Sequence, residues 1–258
     1  NIIMKLIYKE KKGNKRTIHF CGIKFTYNKK RRKAEFFKIY ETIPLLEKSL
    51  KNSQTQDTTL LQSREKDVYY YLFENIFYDK NVINRIQKEY VKFIPNSSKC
   101  FLDIGCGRGE FLEILKENNI KVKGVEINSF EVNILNNKGF DVINTDGISY
   151  LMESSENFCG ISAIQVVEHM SFDYLYKFVH IAYERLIEGG ILILETLDPQ
   201  NIENLKYFYT DLTHIRPIPN LSLQFLCEKA GFKNIKLCKS LPNKGGYVNY
   251  ALIAEKSL

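Results

Sequence analysis

Phe101–Glu110 reads FLDIGCGRGE, and this run decides the architecture. A short apolar run, Cys100–Ile104, ends in Gly105, Gly107 and Gly109, and a helical pattern begins over Gly109–Asn118. A strand that feeds a glycine-rich turn and then a helix opens an α/β unit, and open α/β sheets bind ligands at the carboxyl ends of their strands. Glycines in such a turn accept positive φ and let the backbone approach a ligand closely. A dinucleotide fingerprint spaces its glycines as G-x-G-x-x-G. Here the third glycine comes one residue early, and Glu110 stands where that pattern wants glycine. Asp103 lies two residues before Gly105. A carboxylate there repels a pyrophosphate but attracts an ammonium or sulfonium group.

Strands and helices alternate onward from this turn. The apolar periods predict strands at Val122–Ile127, Asp141–Ile143, Gly160–Val167 and Gly190–Glu195. They predict helices at Ser129–Asn137 and Asp173–Ile187, and a helical turn at Gly147–Ser154. Such alternation means a mostly parallel sheet covered on both faces. After an irregular stretch, Asn220–Ala230 predicts a helix stopped by Gly231. Phe232–Lys239 and Tyr247–Ala254 then predict a closing antiparallel hairpin around the loop Pro242–Gly246, which makes seven strands. Upstream, the spacing predicts two helices over Leu60–Phe93, hinged near Tyr78–Asn81.

The chain has 258 residues and a formal charge of +7, unevenly placed. Residues 1–33 hold twelve basic side chains and one acid, Glu10; residues 101–258 hold fifteen basic and twenty acidic ones. The chain is a basic head on a mildly acidic body. Within the head, Thr17–Tyr27 predicts a short hairpin turning at Cys21-Gly22, Ala34–Lys51 a helix, and Asn52–Thr59 a polar break. The expected organisation is a basic extension over residues 1–56 and a ligand-binding domain over 57–258. No run approaches the ~18 apolar residues of a membrane span. The six cysteines form no C-x-x-C pair, which fits reduced thiols in a cytoplasmic protein.

Two more acids stand at the ends of the next strands: Glu126 in GVEIN and Asp146 in NTDGI. A carboxylate at the second strand end suits the hydroxyls of a ribose. One at the third is placed to accept from an adenine amino group, with Gly147 and Ile148 around the ring. Together the three acids describe a cationic adenosine ligand. The D-x-G-C-G-x-G string, the ribose acid and the terminal hairpin resemble the class I S-adenosylmethionine-dependent methyltransferases over roughly Leu60–Glu255. The resemblance implies a Rossmann-like sheet. It implies a cofactor site of Asp103, Gly105, Cys106, Gly107, Glu126, Ile127, Asp146, Gly147 and Gln165. In this reading Cys106 packs rather than reacts.

A narrower resemblance rests on Gly107–Leu115, Gln165–His169, Asp198–Asn201, Tyr209–Pro217 and Ala230–Phe232. These segments are similar to bacterial surface-polysaccharide methyltransferases of the capsule and O-antigen type. That implies methyl transfer to a sugar hydroxyl or to a phosphate- or phosphoramidate-type oxygen of a glycan precursor. The relatives commonly read D-P-T-H where this chain has Asp211-Leu212-Thr213-His214. They often carry Arg-Gly where this chain has Phe77-Tyr78-Asp79-Lys80. The resemblance implies a cofactor contact from that segment, through Tyr70 or Tyr71.

Methyl transfer is an in-line displacement that the protein mainly positions, and a hydroxyl acceptor also needs a base in reach. His169 leaves the fourth strand beside the expected methyl. Asp211 and His214 are three apart and can pair to orient the ring. Arg216 can grip a phosphate in a fork; for a phosphate acceptor, His214 and Arg216 would act as anion clamps. Glu168-His169 and Asp211/His214 are not read as metal ligands. Three other functions compete. The basic head prompts a nucleic-acid methyltransferase, but the acidic body and the sequence Gln165-Val166-Val167-Glu168 oppose it. A small-metabolite acceptor and a non-catalytic cofactor-binding scaffold also remain. The head is expected to dock on an anionic partner, such as the inner membrane face or a glycan-assembly enzyme.

Overall fold

The computed structural model describes residues 7–12, 15–20, 23–28, 58–240 and 248–257, with side chains from residue 65 onward. The chain divides into two compact units, Asn1–Tyr78 and Asp79–Leu258. The division falls between the two predicted helices.

The first unit contains a three-stranded antiparallel sheet, β1 (Ile7–Lys12), β2 (Lys15–Phe20) and β3 (Ile23–Asn28), in that order, followed by helix α1 (Thr58–Phe77). Strands β2 and β3 form the expected hairpin, with Phe20 opposite Ile23 and Lys15 opposite Asn28. Strand β1 is an addition: IYKEKK is too charged to read as a strand, yet Ile7 pairs with Phe20 and Lys12 with Lys15. The turn at Cys21-Gly22, the helix expected over Ala34–Lys51 and the polar break up to residue 57 lie outside the described residues.

The second unit opens with α2 (Lys80–Lys88), where Asp79 caps the helix by accepting from the Asn81 N–H at 2.8 Å. The expected helix to Phe93 stops early, at Lys88. Val91–Phe93 is a single tight turn, and Pro95 holds Ile94 beyond it in extended backbone. Then follow β4 (Phe101–Ile104), α3 (Glu110–Glu117), β5 (Val122–Glu126), α4 (Ser129–Asn137), β6 (Val142–Asn144), α5 (Gly147–Glu153) and β7 (Phe158–Ile164). The chain closes with α6 (Phe172–Arg185), β8 (Leu186–Leu197), α7 (Asn204–Phe208), α8 (Asn220–Ala230), β9 (Lys233–Lys239) and β10 (Asn249–Glu255).

The seven strands lie in the order β6-β5-β4-β7-β8-β10-β9. The pairs from β6 to β8 are parallel, and β10 runs antiparallel to both neighbours. This is the expected Rossmann-like sheet with its antiparallel closing pair; the connecting loop predicted at Pro242–Gly246 lies outside the described residues. Between β4 and β7 the order of connection reverses, which opens a crevice above their carboxyl ends.

Two strand ends differ from the sequence reading by three residues or more. Strand β7 stops at Ile164, not Val167, because Gln165 adopts a left-handed φ of 57° and turns the chain. Strand β8 begins at Leu186, not Gly190, and shortens α6 to Arg185. Leu186 already pairs with Phe158, and a register shift before the Gly160–Ile191 pair absorbs Gly189-Gly190 as an irregularity within the strand.

Side chains alternate across the sheet with the strand period of two. Leu192, Leu194 and Leu252 face α5, α6 and α8, where they meet Leu151, Phe178, Val179 and Leu223. Ile191, Ile193 and Ala251 face the other way, with Phe111, Ile114, Leu115 and Tyr90. Both faces are therefore apolar and covered, which leaves the strand ends as the place for polar chemistry.

Candidate active site

The turn after β4 carries the first part of the site. Gly105, Gly107 and Gly109 all have positive φ, at 66°, 47° and 82°. At Gly105 a Cβ would come 2.5 Å from Val166 Cγ2, so the turn lies directly against the segment that leaves β7. The Gly107 N–H donates to Glu126 Oε2 at 2.9 Å, and the Asn128 N–H donates to Oε1 at 2.8 Å. Two backbone donors thus fix the predicted ribose acid between the end of β5 and the glycine turn. Ile127 beside it exposes its side chain at the rim, 73% accessible. The Cys106 side chain packs instead with Leu112, Val132, Leu135 and Val142. Burial and the nearby Asp103 and Glu126 charges push its thiol well above the ordinary range, so only its backbone faces a ligand role.

Asp103 lies beneath the turn, buried, and accepts from the Ser162 hydroxyl at 2.6 Å. Burial pushes its pKa up to about 7; the Ser162 hydrogen bond opposes this, and the charges of Glu126 and Glu110 add to it. A carboxyl held in that state is suited to a cation, whose charge would restore its ionised form.

Asp146 is the N-cap of α5. Its Oδ1 accepts from the Ser149 N–H at 2.9 Å and the Ser149 hydroxyl at 3.2 Å, and its Oδ2 accepts from the Tyr174 hydroxyl at 2.5 Å. Burial raises its pKa, but the Tyr174 and Ser149 hydrogen bonds outweigh that and hold it below the ordinary range. Gly147 follows against Ile104, whose Cγ2 would lie 2.6 Å from an added Cβ.

Gln165 turns the chain at the end of β7 and is fixed from the neighbouring strand. Its Nε2 donates to Glu195 Oε1 at 2.8 Å, and its N–H donates to the Glu195 carbonyl at 2.9 Å. Glu195 also accepts from Tyr90 and Asn249. Sequence reasoning missed Ser162, Tyr174 and Glu195, which hold Asp103, Asp146 and Gln165 in place. Tyr71 belongs to the first unit, on α1, where its carbonyl accepts from Asn75 Nδ2 at 2.7 Å.

Beyond Gln165 the acceptor-side residues converge. The His169 and His214 rings lie 4.6 Å apart, edge to face. The expected pairing of Asp211 with His214 is not a hydrogen bond; Oδ2 and Nε2 stand 3.8 Å apart. Asp211 is occupied by Thr213, whose N–H and hydroxyl both donate to Oδ1, at 2.9 and 2.6 Å. The His214 ring is oriented instead by the Phe208 carbonyl, which accepts from Nδ1 at 2.7 Å. That bond makes Nε2 the lone-pair nitrogen. Thr213 Oγ1 lies 3.0 Å from His169 Nδ1. Its single proton goes to Asp211, so Oγ1 accepts from Nδ1–H, and His169 takes the same tautomer.

Burial lowers the pKa of His169 to about 4, with His214 adding to the effect and Asp211 opposing it. Burial lowers His214 as well. Both imidazoles are neutral at pH 7. Glu168 is fully buried beside them, and burial raises its pKa to about 8. The Arg216 guanidinium lies over the Phe172 ring, 5.7 Å from the centroid.

The donor set fits an S-adenosylmethionine-type ligand. A buried acid for a cation, an anchored acid at the second strand end and a glycine cradle closed by Val166 lie around one crevice. No curated protein matches the chain. Among solved structures, an S-adenosylmethionine-dependent methyltransferase from Archaeoglobus fulgidus is similar at 28% identity and a TM-score of 0.66, covering 73% of this chain and all of that one (100%). A Thermotoga maritima S-adenosylmethionine-dependent methyltransferase, a possible histamine N-methyltransferase, shares the fold at 19% identity and a TM-score of 0.59, covering 74% of this chain and 97% of that one. The N-methyltransferase NodS of Bradyrhizobium japonicum, solved with S-adenosylhomocysteine, shares it at 11% identity and a TM-score of 0.55, covering 69% and 89%. Residues 78–237 match the family model described as a methyltransferase domain, and the chain belongs to that family as an S-adenosylmethionine-dependent methyltransferase.

Proposed function

We propose that this methyltransferase acts on an oxygen of a bacterial surface-polysaccharide precursor, with a sugar hydroxyl favoured over a phosphate-type oxygen. The observation that carries this reading is the pair of neutral imidazoles, His169 and His214, 4.6 Å apart just beyond the end of β7. A phosphate clamp needs cations, and burial keeps both rings uncharged. A hydroxyl needs an acceptor for its hydrogen, and a neutral ring offers one.

S-adenosylmethionine supplies an activated methyl on a sulfonium when bound. Asp103 binds its positive end, Glu126 accepts from the ribose hydroxyls, and Asp146 with Gly147 borders the adenine. Gln165, locked to Glu195, shapes the wall between the two reactants. Thr213 and the Phe208 carbonyl hold His169 and His214 with lone pairs ready for the acceptor. Arg216, over the Phe172 ring, is assigned to an anionic group of the glycan rather than to the reacting oxygen.

The basic head, residues 1–33, is a docking element for an anionic membrane face or glycan-assembly enzyme. Among the described residues, no helix is long and apolar enough to cross a membrane.

The test is transfer of an isotopically labelled methyl group to a panel of nucleotide-sugars, glycan fragments and phosphorylated precursors. An O-methylated sugar is expected. Methylation of RNA or small amines alone, with no sugar or phosphate product, would overturn the reading.

A further inference from the structure

We propose that Glu168, His169 and His214 form a site for one divalent transition-metal ion, whose open positions take the acceptor oxygen; the second clause rests on the O-methyl transfer reading above. One ligand atom from each of the three residues lies within 4.8 Å of the other two. Ligands about 2.0–2.2 Å from a tetrahedral zinc stand roughly 3.5 Å apart, so the three need draw in by only about an ångström.

The second observation is Glu168 itself. Its side chain is fully buried, yet neither carboxylate oxygen has a well-formed hydrogen bond among the described residues. The Thr196 hydroxyl and the Glu168 amide approach it without meeting hydrogen-bond geometry. A buried carboxylate without firm partners is costly unless it is paired or coordinates a metal. Here its oxygens lie among imidazole nitrogens, which in their neutral form are metal ligands.

The surroundings of the two rings match what metal-bound histidines require. Such a ring gives its other N–H to a carbonyl, a carboxylate or a similar acceptor, which sets the tautomer and the ring plane. His214 gives Nδ1–H to the Phe208 carbonyl at 2.7 Å. His169 lies 3.0 Å from Thr213 Oγ1, which passes its own proton to Asp211. Two imidazoles and one carboxylate select zinc, manganese, iron or cobalt over calcium or magnesium, and leave positions open. Glu168 and His169 stand two and three residues after Val166, the residue packed on Gly105 of the cofactor turn. An ion there would hold an acceptor oxygen close to the turn. With an ion bound, the lone pairs of the two rings serve the metal, and the metal rather than a bare ring receives the oxygen.

The full chain, stripped with a chelator, is titrated with Co²⁺ by calorimetry and visible absorption, with Mn²⁺ as a second probe. One Co²⁺ per chain is expected, with affinity falling at least about 100-fold in His214→Ala and in Glu168→Gln. The affinity for S-adenosylmethionine should be retained in both variants, which serves as the control for folding. No stoichiometric Co²⁺ binding, or equal binding by both variants, overturns the site. Where a variant fails the folding control, selective broadening of the His169 and His214 imidazole resonances by Mn²⁺ in the unaltered chain supports the site, and its absence overturns it. Methyl transfer to a sugar that survives chelation, without metal binding, sinks the metal site and leaves the proposed function standing. Metal binding without transfer to any oxygen acceptor does the reverse and removes the second clause.

Discussion

Asp103 on β4 and Ser162 on β7 are direct partners across the parallel pair, and the serine hydroxyl donates to the carboxyl at 2.6 Å. Burial still pushes the Asp103 pKa up to about 7. Below that pH the acid is neutral in the ligand-free protein, and a cationic ligand must displace its proton. Affinity for S-adenosylmethionine is therefore expected to rise with pH between about 6 and 8, by up to about tenfold per unit on the acid side. For folding the sign is opposite. A raised carboxyl binds its proton more tightly in the native state, so its contribution favours the ligand-free fold at low pH. That contribution fades as pH climbs from the unfolded value near 4 through about 7. Calorimetric titrations across this range give the binding profile; a flat one removes Asp103 from the site. Ser162→Ala should move the midpoint upward.

Gly105→Ala is expected to fail for a separate, steric reason. Gly105 has a φ of 66°, and its Cβ would meet Val166 Cγ2 at 2.5 Å. The left-handed backbone alone costs about 1–2 kcal/mol with a side chain, and Val166 cannot retreat without moving the segment that carries Glu168 and His169. A lower melting temperature and weaker cofactor binding should appear together. Wild-type affinity in the Gly105→Ala variant would show that the turn does not approach the ligand.

The glycine turn, the three strand-end acids and the alternation were legible because each is a local pattern: positive φ, a fixed offset, a period. The partners that decide what the acids do were not. Ser162 stands 59 residues from Asp103, Tyr174 stands 28 from Asp146, and Gln165 stands 30 from Glu195. Only folding joins such pairs. Gln165 hid the end of β7 for a related reason: nothing in QVVEH announces a left-handed residue, and the apolar Val166-Val167 reads as more strand. Asp211 and His214 were adjacent enough to be paired on paper. Thr213 lies between them and takes the carboxylate first, at 2.6 Å. Glu168 follows two valines just beyond the end of β7 and precedes a histidine, and its complete burial is a property of packing alone.

Removal of residues 1–33 is expected to leave cofactor affinity within about twofold of the full chain, a change of less than about 0.5 kcal/mol. Asp103, Glu126, Asp146 and Gln165 all lie in the unit Asp79–Leu258, and the deleted segment supplies none of them. Binding to vesicles rich in anionic lipid should fall with the deletion and with added salt, because the segment carries twelve basic residues against one acid. Loss of cofactor binding in the shortened chain would refute the separation of head and site.

Thr213→Val tests whether the hydroxyl positions His169 or only decorates a surface loop. Thr213 is exposed, and the loop turn keeps the Thr213 N–H bond to Asp211 at 2.9 Å, so the stability loss should stay near 1 kcal/mol or below. The hydroxyl is the only part removed. Without it His169 Nδ1 loses the hydroxyl 3.0 Å away, and the ring is held only by its other partners, the Thr213 backbone among them. A fall in kcat of roughly tenfold is expected with little change in cofactor affinity, since ring orientation supports only the acceptor side. Thr213→Ser restores the hydroxyl and should recover most of the rate. A merely structural threonine would give two variants with the same kcat, and that outcome would remove Thr213 and its hydrogen bond from the account of transfer.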